Sequence, residues 1–167
     1  MADQVRIDAK THGIAERLED ARILYANGQR EGALLMVLVA VAGTSRRRFP
    51  RHQVCSDGEA FKRFLQDELY KALQPRGVHV PQIMVACSAG TMPLEDILYH
   101  LVRCRLVHEA LLDDDIEFEA RSDISVTGGN PMKLTDGWID VLAQTVLNAP
   151  ENADLFPNRA ATDESPD

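Results

Sequence analysis

Three stretches in the first half of the chain carry apolar residues at the spacing of an α-helix. Over residues 7–26, apolar positions recur near the helical period between charged ones, which predicts an amphipathic helix. Residues 30–47 are apolar nearly all round, so we expect this helix at the buried centre of a bundle. Residues 57–73, opened by Ser56 as a cap, again place their apolar side chains on one stripe.

The second half opens on a segment that the pattern leaves undecided. Residues 74–92 contain Pro and Gly and lack a clear period, so they are either irregular or hold short extended pieces at 78–80 and 83–85. A helix then follows over about residues 91–112. Thr91 is suited to cap it, and Pro93 stands in the first turn, where its missing N–H costs little.

Two further elements are predicted after that helix. Apolar and charged residues alternate over 116–120, and residues 124–127 could pair with them, which indicates a small β-hairpin. A last amphipathic helix covers residues 135–147, with Thr135 as its cap. Beyond Pro150 the chain turns acidic and is expected to be disordered.

Together these elements predict an all-α fold: a bundle of about five helices with a small β-hairpin after the fourth helix. The chain has 167 residues, of which 45% are hydrophobic, enough for one core and about the length of one domain. We therefore expect a single domain over residues 1–150, followed by an acidic, disordered tail over residues 151–167.

The sequence favours a protein of the cytoplasm. Its longest apolar run, residues 33–43, is about half of the roughly 20 residues that a membrane-spanning helix needs, and the polar N-terminus lacks a signal pattern. Three cysteines without paired spacing favour reduced thiols over a disulfide framework. No contact with a membrane is expected.

The charge of the chain restricts how it could bind nucleic acid. A formal net charge of -8 argues against sequence-independent coating of RNA or DNA, so any such contact must be local. The best basic candidate is the group Arg46, Arg47, Arg48 and Arg51. It has two interpretations: cations that favour the end of a helix before Pro50, or a footprint for phosphate.

One stretch carries the candidate chemistry. Residues 98–109 read LYHLVRCRLVHE, in which Arg103 is followed after four residues by His108. This stretch resembles the HEPN family (higher-eukaryote and prokaryote nucleotide-binding domains), whose mark is an Arg and a His at such a spacing near the end of a core helix. Residues 21–28 and 32–35 are similar to that family's opening helical hairpin. One departure is Cys104, since many active members carry Asn, Asp or His after the Arg.

The resemblance implies a metal-independent endoribonuclease that cleaves RNA by transfer to the 2′-hydroxyl, of the toxin or host-defence kind. In that role His108 transfers a proton and Arg103 holds the phosphate, with no cofactor and no metal. Asp96 and Tyr99, seven and four residues before Arg103, are candidates to orient it by hydrogen bonding, and Cys104 lies beside it. RNA is the expected substrate, and an antitoxin protein a candidate partner.

Helix geometry sets a condition on this site. Residues five apart on a straight helix differ by about 140 degrees, so Arg103 and His108 of one chain would not share a face. Either the helix distorts between them or the site is composite. The resemblance favours a homodimer in which both motifs line one cleft.

Other interpretations of the same residues stay open. Arg103 could pair with Asp96 as a structural ion pair, with His108 at the end of its helix. A metal site made of His100, Cys104 and His108 is disfavoured, because eight residues of helix span about 12 Å. The chief functional alternative is a HEPN-like module that has lost catalysis and serves in dimerisation or in binding a ligand or nucleotide.

Overall fold

Three long helices form the first half of the fold. The computed structural model describes residues 2–112 and 114–157, with side chains described from residue 13 onward. Helix α1 spans Ala2–Ala26, α2 spans Arg30–Arg48, and α3 spans Asp57–Leu73. Gly28, with a φ of 75°, makes the tight turn between α1 and α2.

Helix α2 is the centre of the bundle, as its apolar sequence predicts. It packs against α1, α3 and the last helix, and Leu34, Leu38 and Val41 are fully buried. Apolar though it is, neither α2 nor any other helix in the described part of the chain meets the length and hydropathy that crossing a membrane requires. The predicted cap of α3 is confirmed: Ser56 accepts a hydrogen bond of 3.3 Å from the amide of Glu59.

The fourth helix, called the motif helix below, covers residues 94–109 in three parts. It begins as α4, Leu94–Ile97, widens to a π-helix over Leu98–Cys104, and closes as α5, Arg105–Glu109. Ala110, at a φ of 58°, ends it. The predicted start at Thr91 is wrong, because residues 90–93 form a strand and Pro93 stands at the N-cap position.

Two small sheets accompany the helices. Strands β1, Met84–Cys87, and β2, Gly90–Pro93, form an antiparallel pair ahead of the motif helix. After it, β3 (Ile116–Glu119), β4 (Val126–Thr127) and β5 (Met132–Thr135) form a second sheet in the order β3-β5-β4.

The prediction of an all-α fold is therefore wrong, since the two sheets make the chain a mixture of helices and strands. A small hairpin does follow the motif helix, but β4 and β5 form it, antiparallel. The expected partner, β3, instead pairs with β5 in parallel. A parallel pair needs a long crossover, here residues 120–131, so neighbours in sequence are not neighbours in this sheet.

Helix α6, Gly137–Leu147, closes the core. Its predicted cap, Thr135, lies at the end of β5 instead, where its hydroxyl accepts a hydrogen bond from the Ser125 amide and donates to the Asp123 carbonyl. Trp138 is buried, and its indole donates to the Ser125 carbonyl over 2.8 Å. The loop over residues 122–125 is thereby fixed to the start of the helix.

The segment expected to be a disordered tail lies outside the described residues from residue 158 on. Its described part is packed against the domain. Pro150–Asn152 forms a single turn of 3-10 helix, and Asn152, fully buried, donates hydrogen bonds to Thr44 and to the Val146 carbonyl. Amide groups that are buried and hydrogen-bonded belong to a folded domain rather than to a tail.

Candidate functional site

Arg103 lies in the π-helical part of the motif helix, half-buried against two aromatic rings. Its guanidinium carbon is 5.5 Å from the centre of the Tyr99 ring and 6.0 Å from that of Phe61. The two rings pack on each other at 5.3 Å and are called the aromatic shelf below. Contacts of this kind attract a cation to the face of a ring and hold a flexible Arg in one place.

The polar atoms of Arg103 have no partner among the described residues. Its Nε is buried and makes no hydrogen bond, and no described carboxylate lies within ion-pair distance of the guanidinium. Every other Lys and Arg whose side chain is described forms an ion pair. A guanidinium that no nearby carboxylate neutralises can attract an anionic ligand to its accessible N–H groups.

A surplus of positive charge surrounds this group. Arg46, Arg51 and Arg103 all act on the carboxylate of Asp57, and with the hydrogen bond from Arg46 foremost they hold the pKa of Asp57 below its ordinary value. Asp57 begins α3, whose N-terminal dipole adds to this field. We call Arg46, Arg51 and Arg103 the basic patch. Three cations against one carboxylate make it locally positive on a chain of net charge -8.

The four arginines proposed as phosphate ligands fall into two pairs with different partners. Arg46 and Arg51 contact Asp57, whereas Arg47 and Arg48 bind other acids. Arg46 is occupied: it pairs with Asp57 and donates to the carbonyls of Phe49, Val54 and Cys55. Arg51 also reaches Asp57, but its side chain is 75% exposed and can be shared with a ligand.

Arg47 and Arg48 turn away from the basic patch and pair with acids that lie far along the chain. Arg47 binds Asp154, and Arg48 binds Glu151 and Glu68. The helix does end after Arg48, as the first interpretation of the cluster predicts. For these two residues the structural role accounts for the charge.

The two residues expected to orient Arg103 behave differently. Asp96 forms an ion pair of 2.9 Å with Lys62 of α3, so the prediction that it orients Arg103 is wrong. Tyr99 does contact Arg103, through the face of its ring instead of a hydrogen bond. It is itself fixed by an edge contact with His100 at 4.9 Å and by the backbone of Gly58, where a side chain would overlap the ring.

His108 lies apart from Arg103 on the motif helix. It is exposed, in the last turn of α5, whereas Arg103 is half-buried in the widened part. The π-helical part ends at Cys104, one residue after Arg103, and the stretch that leads on to His108 is α-helical. Cys104 lies between them as a free, partly buried thiol. Among the described residues, no hydrogen bond, ion pair or ring contact joins the two motif residues of one chain.

No metal centre is apparent at this helix. Among the side chains that the structure describes, no three His, Cys, Asp or Glu residues come together in a way that could hold a metal ion.

A buried carboxylate that sequence reasoning missed anchors the start of the motif helix. Glu95 is fully buried and accepts hydrogen bonds from Gln66, Gln82 and Tyr70. Burial, together with this carboxylate, raises the pKa of Tyr70 to about 12, so its hydroxyl stays a donor. The spacing of Gln66 and Tyr70, four apart on α3, is the only sequence signal of this arrangement, and without the fold it points to nothing.

Comparison with known proteins gives one match to a family. The model of the family described as Rv1289 matches residues 13–160. No curated protein and no solved structure matches the sequence.

Proposed function

The chain belongs to the Rv1289 family, and we propose that it is a metal-independent endoribonuclease of the HEPN type, as the resemblance of residues 98–109 to HEPN domains implies. Two chains supply the residues of one cleft in this proposal. Arg103 binds the phosphate of RNA, and His108 transfers the proton. The observation that carries the proposal is the unpartnered guanidinium of Arg103, held half-buried on the aromatic shelf.

The chemistry follows from the residue types. Cleavage by internal transfer requires removal of a proton from the 2′-hydroxyl, a proton for the leaving oxygen, and positive charge beside the phosphate as it becomes crowded. An imidazole exchanges protons near neutral pH, which suits the exposed His108. The planar fork of Arg103 matches two phosphate oxygens.

The proposal calls on a second chain because no described contact joins Arg103 and His108 of one chain. The end of the motif helix offers a surface for it, since Val107 is 49% exposed and Leu111 is 68% exposed on either side of His108. Contact with a second copy would remove these two aliphatic side chains from water. A two-fold axis beside α5 would bury them against their copies and bring both motifs toward one cleft.

The proposal also carries a cellular setting. In this proposal the substrate is RNA, and the enzyme acts in the cytoplasm. An antitoxin protein is the proposed partner that inhibits the enzyme in its own cell. The basic patch gives RNA a local point of attraction that the net charge of the chain does not offer.

A second candidate function rests on Cys104. A thiol next to Arg103, where many active members of the resembled family carry Asn, Asp or His, favours a module that has kept the dimer and lost catalysis. Such a module would still bind an anion at Arg103 and would still associate through the surface at Val107 and Leu111.

The test is RNA cleavage in excess EDTA. The wild-type protein should give products that end in a cyclic phosphate, and His108→Ala should lower the rate by about 100-fold or more, since general acid-base catalysis contributes at least that much. His79→Ala is the matched control, because His79 is exposed in a loop outside the motif. Its rate should equal that of the wild type.

Two outcomes would overturn the enzyme. Cleavage that persists in His108→Ala would come from another residue or a contaminant. An absence of cleavage, with a dimer seen by light scattering, would leave the binding module as the function.

A further inference from the structure

A cavity of about 430 Å³ lies between α1, α2 and α6, apart from the motif helix. Most of its walls are apolar, formed by Leu18, Ala21, Val37, Ile139 and Ala143. Its volume lies within the range of roughly 300 to 1,000 Å³ that small-molecule sites occupy. The cavity plays no part in the proposed ribonuclease.

One carboxylate at the wall of this cavity is poorly satisfied. The side chain of Asp136 is 7% exposed, and its Oδ1 lies 3.0 Å from Nε of Arg30. Neither of these buried atoms makes a hydrogen bond, because the N–H is not directed at the oxygen. The other oxygen, Oδ2, accepts only a long hydrogen bond of 3.4 Å from the Tyr25 hydroxyl.

The backbone fixes this carboxylate in place. Asp136 stands at the N-cap position of α6, yet its side chain caps no amide of that helix. The next residue, Gly137, packs so closely on the Asp123 carbonyl that a side chain there would overlap it. The start of α6 is therefore pinned to its neighbouring loop, and Asp136 is held at the cavity with acceptor capacity to spare.

The charges around the cavity set the charge of its ligand. Asp136 is already neutralised by Arg30 and by the N-terminus of α6. At the rim, Arg22 pairs with Glu19, and Asp140 pairs with Arg76. A cationic ligand would be repelled by Arg30 and by the N-terminal dipole of α6, whereas an anionic ligand would be repelled by Asp136. An uncharged donor meets neither penalty.

We propose that this cavity binds a small, uncharged, mainly apolar molecule that donates one hydrogen bond to Asp136. A flat ring system with a single N–H or O–H group fits the apolar walls and the one polar point. The bound donor takes the position on Oδ2 that the Tyr25 hydroxyl holds only weakly.

Indole and 1-methylindole are the probes that test this site, since the added methyl group replaces the only hydrogen-bond donor of indole. Binding to the full chain is followed by chemical shifts of backbone amides. Indole should bind about tenfold more tightly than 1-methylindole, because a hydrogen bond to a charged acceptor is lost with the methyl group. The shifts should cluster at residues of the cavity wall.

Two variants make the assignment specific. Ala143→Trp fills the cavity and should abolish the indole shifts. Tyr25→Phe removes the competing donor from a side chain that is 44% exposed, so the fold should tolerate it, and indole should bind about threefold more tightly. Equal affinities for the two probes, shifts outside the cavity, binding that survives Ala143→Trp, or weaker binding by Tyr25→Phe would each overturn the proposal.

Discussion

Arg48 uses its charge inside the molecule and offers little to a ligand. Its side chain is 14% exposed, lies over the ring of Phe64 at 5.0 Å and pairs with Glu151 over 2.6 Å. Burial acts to raise the pKa of Glu151, but the hydrogen bond from Arg48, a backbone hydrogen bond and the charges of Arg48 and Arg47 together outweigh it and hold that pKa below its ordinary value. The sequence indicates a helix end at these arginines. It cannot indicate carboxylates that lie about a hundred residues away in the chain.

The pair of Arg48 and Glu151 should make stability depend on pH. A carboxyl whose pKa is lower in the folded state stabilises it above the unfolded value of about 4.3, and this contribution is lost as pH falls through the folded pKa. Glu151→Gln should therefore lower the free energy of unfolding at pH 7 by about 1 kcal/mol, a value reduced for partial exposure. Urea denaturation at pH 7 and at about pH 3 measures it.

The control for this pair is Glu59→Gln, which breaks an exposed ion pair with Arg63 and should change stability by only a few tenths of a kcal/mol. The deficit of Glu151→Gln should shrink at the lower pH. A deficit of equal size at both pH values would show that the charge of Glu151 is not what stabilises the fold.

At the scale of elements, the contact between α3 and the motif helix sets the position of Arg103. Gly58, in the first turn of α3, lies so close to Tyr99 that an added Cβ would fall 2.8 Å from the ring. Gly58→Ala should therefore push the aromatic shelf aside and lower the free energy of unfolding by about 1 to 2 kcal/mol, despite the better helix propensity of Ala. Thermal or urea denaturation measures the loss.

Gly32→Ala is the matched substitution in α2, where the added Cβ would meet Leu24 at an ordinary 3.4 Å. Because Ala favours a helix over Gly, this variant should gain about 0.5 to 1 kcal/mol. If the two variants behave alike, close packing on Tyr99 is not what requires a glycine at residue 58.

The long helices and strand β3 were largely open to prediction, whereas β2, β5 and the order of the strands in the sheet were not. The expected bounds of α2 and α3 agree with Arg30–Arg48 and Asp57–Leu73 to within a residue, since long apolar stripes at a helical period have few other solutions. Strand β5, Met132–Thr135, has only four residues, and its parallel partner β3 lies across a crossover, so its place in the sheet does not follow from the local pattern. The π-helical part of the motif helix, Leu98–Cys104, likewise could not be predicted from the spacing of apolar residues.

At the scale of the whole molecule, the local distribution of charge differs from what the net charge of the chain suggests. The net charge of -8 follows from the sequence, whereas the basic patch arises only when α2, α3 and the motif helix meet. The candidate site was predictable only in part, because some of its contacts likewise form only when separate helices pack together. The sequence singled out Arg103 and Tyr99, but the ion pair of Asp96 with Lys62 depends on how two helices pack.

The central claim is that one cleft takes Arg103 from one chain and His108 from another. Its most direct measurement is RNA cleavage by a mixture of Arg103→Ala and His108→Ala proteins in EDTA, after the chains have been allowed to exchange. Each variant alone should cleave about 100-fold or more slowly than the wild type. The mixture should regain cleavage, because a hybrid dimer holds one intact Arg103 and one intact His108. A mixture that stays as inactive as its parents, although light scattering shows dimers and the chains demonstrably exchange, would contradict the account.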